Sequence, residues 1–305
     1  VVAIDTKRKP VQHLTGGIVK EVLVREGEEV KAGQVLIRMD DAMSKSSFES
    51  VRQRYLGLRA MQGRLQAEQL SQGSIKFHPD LLAAGKDPLI LQHMQTQQQL
   101  LDSRRMALRA DIQASEASIQ GQEGLVRSYV GMLSSRRGQL ALLSEELENT
   151  RKLVNEGYAP RNRQLELERM VADSNTAQME LQGNSARATF AINELRQRII
   201  ARQNEYRKEV ESQLADVTRE AQSEEPKFRA VSDELARNEI KAPVSGQVMS
   251  LAVQTPGSVV QPGQKLLDVV PENEALLLEV HVAPQLIDKV HNELPVDIRF
   301  SAFAH

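Results

Sequence analysis

Two stretches of this chain are copies of one another, and they lie at opposite ends. GEEVKAGQVL, with Gly27, Val30, Gly33, Gln34 and Leu36, returns as GSVVQPGQKL, with Gly257, Val260, Gly263, Gln264 and Leu266, each residue offset by 230 positions. Upstream, Gly17-Ile18-Val19 answers Gly246-Gln247-Val248, one residue out of step. Apolar residues alternate in IVKEVLV and QVMSLAV, which is strand periodicity, and the glycines suit tight turns between short strands. Each copy is about four short strands, too little to bury an apolar face alone. The two copies are therefore expected to pack on each other as one flattened β-sandwich, from residues 12–41 and 239–272, with about 200 residues inserted between them.

The insert, 42–238, changes character. Glutamine, glutamate, arginine, leucine and alanine dominate, and apolar residues fall at helical spacing. Three helices are predicted, at about 43–72, 89–155 and 161–238, with breaks at SQGSIKFHPD, AAGKDP and NEGYAP. Ile112, Ile119, Val126, Leu133, Leu140, Leu147 and Val154 recur at sevens, a coiled-coil seam, and Val210, Leu214, Val217, Ala221, Phe228, Val231 and Leu235 match it in kind on the return helix. The short 156–160 connection makes the long helices an antiparallel hairpin with its tip near Gly157. Helices one and two are read as lying end to end, and Pro226 either kinks the return helix or starts a separate short one. Residues 1–11 and 273–305, with LLLEVHV and VDIRF, read as strands of an incomplete β-barrel. The fold class is thus α+β: a split sandwich carrying a helical hairpin, plus part of a barrel.

Composition narrows function. A net charge of -2 with 26% charged residues lacks the basic excess of a nucleic-acid binder. There is no cysteine, so no catalytic thiol and no Cys-ligated metal, and nothing to mispair in an oxidising compartment. His13, His78, His93, His281, His291 and His305 have no metal-ligand spacing, and no hydrolase elbow or phosphate loop occurs. Carboxylate pairs such as Glu145-Glu146 and Glu224-Glu225 sit on charged helices, where a solvated face is the ordinary reading. The expectation is a protein without catalysis, cofactor or metal. No apolar run reaches the ~20 residues of a membrane span, and the strand-like ends VVAID and VDIRFSAFAH read as those of a fragment from which an anchor has been trimmed.

GGIVKEVLVREGEEVKAGQVLIRMD resembles a biotinyl/lipoyl carrier half-motif, and APVSGQVMSLAVQTPGSVVQPGQKLLDVVP resembles its second half as found in HlyD-type periplasmic adaptors, or membrane fusion proteins. KRKPVQHLTGGIV is similar to the branch serving protease and lipase exporters. A carrier domain would present a modifiable lysine where Arg38-Met39-Asp40-Asp41 stands, and no lysine here has that context. The resemblance implies a single-pass inner-membrane protein of a Gram-negative bacterium, of which this is the periplasmic portion. It would link an inner-membrane ABC transporter to a TolC-like outer-membrane channel for type I secretion of an unfolded protein, self-associating by family analogy as a hexamer. Two rivals are an adaptor of a multidrug efflux pump and a purely structural coiled-coil tether. The first is disfavoured by the three-helix asymmetry, the second by the paired repeat.

The resemblance also singles out the tip. Family tips dock the channel through an arginine, a leucine four residues later and a small hydroxyl residue seven after that. Leu153 matches the leucine, but Asn149 stands at the arginine position and Pro160 at the hydroxyl position, with Arg151 half a turn away. Asn149, Arg151, Leu153, Gly157, Tyr158 and Pro160 are therefore the candidate docking residues. Gly17, Gly27, Gly33, Gly246, Gly257 and Gly263 are structural candidates, as turn glycines. Ala110, Ala117, Gly124, Gly131 and Gly138 also recur at sevens, two residues before the apolar seam and so ~200° away from it. Glycine inside a helix costs about 1 kcal/mol relative to alanine, so the stripe is either tolerated drift or a close-packing face for a neighbouring arm or the first helix folded back.

Overall fold

The computed structural model describes residues 8–271, so most of the expected barrel pieces, 1–7 and 273–305, lie outside the described residues. The chain divides into two compact units, 51–228 and the remainder on either side of it.

The sandwich contains β1 (Lys9–His13), β2 (Gly17–Val22), β3 (Glu29–Val30) and β4 (Val35–Met39) from the first copy, and β5 (Glu239–Lys241), β6 (Gly246–Met249), β7 (Val259–Val260) and β8 (Gln264–Pro271) from the second. One sheet runs β1-β8-β6-β3 and the other β5-β4-β2-β7. Exchanging each strand for its copy turns the first order into the second, so each sheet mixes both halves. Residues 9–11, assigned above to a barrel, instead belong to β1: Lys9, Pro10 and Val11 pair with Val269, Asp268 and Leu267, because β1 is the counterpart of β5 and β8 needs its neighbour.

The duplication extends to single atoms. Gly27 N–H donates to the Val248 carbonyl and Gly257 N–H to the Val19 carbonyl, both at 2.8 Å. Gly33 donates to the Ala242 carbonyl and Gly263 to the His13 carbonyl, again at 2.8 Å. Gln34 accepts from Lys31 N–H as Gln264 accepts from Gln261 N–H. The buried core is accordingly a set of pairs: Val24 with Val253, Val30 with Val260, Leu36 with Leu266, Ile37 with Leu267. Neither half could form its hydrogen bonds or its core without the other. A shortened chain joining Asp40 to Ile240 through a glycine-containing turn is therefore expected to give an all-β circular-dichroism spectrum, and a disordered spectrum would contradict the split module.

The helices are α1 (Ala42–Gln69), a short α2 (Pro79–Ala83), α3 (Pro88–Asn155) and α4 (Arg161–Arg237). At 1.5 Å per residue, α3 and α4 are each about 100 Å or more in length. Asp87 caps α3, accepting from Leu89 N–H at 3.0 Å with Pro88 in the first turn. Ion pairs run Arg163–Glu146, Arg151–Glu168, Arg196–Glu123, Arg202–Asp111 and Arg104–Glu209, one partner's number rising as the other's falls. This is an antiparallel hairpin turning at Gly157.

Two expectations need correction. The first helix does not precede the second end to end. Arg52 bonds Asp87 at 2.7 Å, Arg64 bonds Gln97 at 2.8 Å and Glu68 bonds Arg104 at 3.0 Å, so α1 and α3 lie side by side and parallel. The 70–87 connection runs back along α1, held by Ile75, Phe77 and Leu81 in apolar clusters. Second, Val210, Leu214 and Val217 do not mirror the α3 seam; they pack on Leu58, Met61 and Leu65 of α1. A turn at 157 sets residues 112–154 against the first part of α4 instead. Of the two outcomes left open for Pro226, no separate helix begins there: α4 continues through it, although the ring removes one N–H from the ladder and crowds the carbonyl one turn back.

Candidate functional site

The tip is built by backbone chemistry. Gly157 adopts φ +85°, the left-handed conformation that ends helices, and its N–H donates to the Val154 carbonyl at 3.1 Å while Tyr158 N–H reaches the Leu153 carbonyl at 2.8 Å. This pair of bonds closes α3, and α4 restarts after Pro160, whose carbonyl accepts from Arg163 N–H. Nothing lies within 4 Å of where a Gly157 Cβ would stand, so the glycine is required by its φ and not by crowding.

Side chains then clamp the two helices. Arg151 donates through Nε and Nη2 to Glu168 at 3.2 and 2.7 Å, and Arg163 donates to Glu146 at 2.6 Å and Glu166 at 3.1 Å. The Arg151 guanidinium, followed by the Gln164 amide, holds the Glu168 carboxyl below the usual range, and Glu146 and Glu166 raise Arg163. Of the sequence candidates, Asn149, Leu153, Tyr158 and Pro160 are exposed, Leu153 at 46% and Tyr158 at 80%, whereas Arg151 is committed to Glu168.

Gly131 and Gly138 face open space, with nothing within 4 Å of a built Cβ, and Gly124 meets only Arg127 of its own helix. The first helix cannot be their partner, since its bonds to α3 reach only as far as Arg104. Gly246, expected to be a turn glycine, instead opens strand β6 and is not among the positive-φ glycines; a Cβ there would stand 2.1 Å from the Val270 carbonyl oxygen.

One cluster was invisible in the sequence. Glu68, its side chain 0% exposed, accepts from Arg64, from Arg104 at 3.0 Å and from the Tyr206 hydroxyl at 2.8 Å, tying α1, α3 and α4 together. Burial, then the bond to Glu68, pushes the Tyr206 hydroxyl up to about 12. For Arg104, burial alone would lower the pKa, but the charges of Glu68 and Glu209 raise it. Among the described residues no group of three His, Cys, Asp or Glu is placed to hold a metal ion, and no helix is long and apolar enough to cross a membrane.

The family model described as AprE, long alpha-helical hairpin, matches residues 44–234, nearly the whole helical insert. The chain belongs to this family. Alkaline protease secretion protein AprE of Pseudomonas aeruginosa is 41% identical over 99% of the chain and 70% of its own length. Proteases secretion protein PrtE of Dickeya chrysanthemi is 35% identical over 99% of the chain and 68% of its own. The AprE-family architecture is matched in three dimensions by the soluble domain of LipC, a membrane fusion protein of a type I secretion system, with a TM-score of 0.73 and 34% identity over 87% of this chain and 100% of that one.

Proposed function

We propose that this chain is the periplasmic part of a type I secretion adaptor for proteases or lipases, coupling an inner-membrane ABC transporter to an outer-membrane channel. The observation that carries the reading is the likeness at 41% identity, across both the split sandwich and the hairpin, to a protein named for alkaline protease secretion. The exposed tip supplies a docking end, and an anchored body with an unfolded protein as cargo completes the reading. The efflux-pump alternative has less support, since relatives at 41% and 35% identity are named for protease secretion. Restoring the full-length protein, with its own transporter and channel, to a bacterium lacking an adaptor should restore extracellular protease or lipase; restored drug resistance without secretion would favour the efflux reading.

Several copies, six by family analogy, would surround the transporter, with the Gly124, Gly131 and Gly138 stripe lying between neighbouring arms. Replacing all three with leucine should leave the protein helical, because a Cβ there would meet nothing beyond the flexible end of Arg127, yet abolish export. Export at the normal rate would remove the stripe from the account.

A further inference from the structure

We infer that the side of the hairpin which continues the line of α1 is a docking groove for an amphipathic helix with acidic flanks, belonging to a partner protein. Lower on α3 and α4 the same groove is already filled, by α1. Leu58, Met61 and Leu65 of α1 pack with Tyr206, Val210, Leu214 and Val217 of α4, and Glu68 accepts from Arg104 of α3 at 3.0 Å. The helix then stops at Gln69, Ser71 turns the chain away at φ +55°, and the groove runs on without it.

Three clefts mark the unfilled stretch. The first opens beside Glu68 and Ser71, with Arg105, Leu108, Arg109 and Ile112 on α3. The second is lined by Val126 and Arg127 of α3 and Ile192 of α4; the third shares Thr189 and Asn193 with it and reaches Leu133 and Phe190. Their volumes of about 360, 330 and 460 Å³ are many times the ~30 Å³ share of a water molecule, so each has room for large side chains. Arg109, Gln113 and Glu116 step by four and three, Glu123 of the second cleft follows one heptad later, and Ala186, Thr189 and Asn193 step by three and four on α4. The clefts therefore open on one side of the hairpin. From Arg105 to Leu133 that side is about 40 Å long, enough for a helix of several turns.

Charge selects the occupant. Arg105, Arg109 and Arg127 line the clefts and, among the described residues, have no hydrogen bond or ion pair, against a single unpaired acid, Glu116. Glu123 is taken by Arg196 at 3.4 Å. Cations beside apolar floors call for carboxylates flanking an apolar ridge, which is what α1 brings to Arg104 lower down. A second copy lying level alongside would not bring them. Thr189 and Asn193 follow the buried Ala188 and Ile192 into the groove, whereas Arg187 and Ala191 precede them on the other flank. That flank offers Arg187 and a Glu194 already paired with Arg198 at 3.6 Å, so it has no free acid to give.

The test uses the 305-residue chain and a labelled synthetic peptide of about four heptads, with leucine on one face and glutamate flanking it. In fluorescence anisotropy this peptide should bind saturably, and a twin with lysine for glutamate should bind at least about tenfold more weakly. Arg105→Gln, Arg109→Gln and Arg127→Gln together should weaken the glutamate peptide by about tenfold or more with helicity unchanged, while Arg169→Gln and Arg187→Gln, at exposed positions outside the groove, should leave its affinity unaltered. Asn193→Cys, in a chain with no other cysteine, should form a disulfide with a cysteine at the centre of the glutamate peptide. Absence of saturable binding, equal binding of the lysine twin, or an affinity that survives the three groove substitutions overturns the proposal. If Asn193→Cys links copies of the chain to one another in preference to the peptide, the groove is an interface between copies and the proposal falls.

Discussion

Glu68→Ala should lower the stability of the helical unit by about 3–5 kcal/mol, to be read as a shift in its urea unfolding free energy. The carboxylate has no exposed surface and accepts from two arginines and a phenol on three helices. Removing it strands Arg64, whose side chain is only 5% exposed, without its charge partner and leaves the Tyr206 hydroxyl without its acceptor. Arg104 keeps Glu209 but loses the stronger of its two partners. Replacing the whole set, Glu68 and Arg64 with leucine, Arg104 with methionine and Tyr206 with phenylalanine, should cost far less than the single change, since no buried charge is then left alone. A loss under about 1 kcal/mol for Glu68→Ala would mean that the cluster does not hold α1 in place.

Gly246→Ala should cost the sandwich about 3 kcal/mol, because its Cβ would meet the Val270 carbonyl oxygen at 2.1 Å, the Val270 carbonyl carbon at 2.6 Å and Pro271 Cα at 2.9 Å. All three are backbone atoms of β8, which pairs with β6 along its length, so neither strand can yield without disturbing the ladder. Gly33→Ala and Gly263→Ala should cost less, about 1–2 kcal/mol, since each has only a positive φ to accommodate and nothing within 4 Å. Thermal melts of the three variants separate these two reasons for a glycine. Equal losses in all three would contradict the packing argument at Gly246.

Much of this was legible because it is written as repetition. The constant offset from Gly27 to Gly257 implied two halves of one module, and NEGYAP marked the hairpin turn, since only a glycine enters φ +85° freely. The position of α1 was not legible, because chain length alone allows it to continue α3 or lie beside it. A signal did exist in the connection: Ile75, Phe77 and Leu81 are apolar residues in a glycine- and proline-rich stretch, which makes sense only if that stretch packs on something. Glu68 could not be picked out, since a glutamate on a charged helix looks solvated until its neighbours on two other helices are known. The same holds at the tip. Arg151 seemed available for docking until the hairpin register set it against Glu168.

The most direct test of the adaptor reading is purification of the full-length protein from crosslinked membranes of actively secreting cells, followed by identification of what accompanies it. An ABC exporter and an outer-membrane channel should both be recovered with it. Recovery of a proton-driven pump in place of the ABC exporter would contradict the adaptor reading.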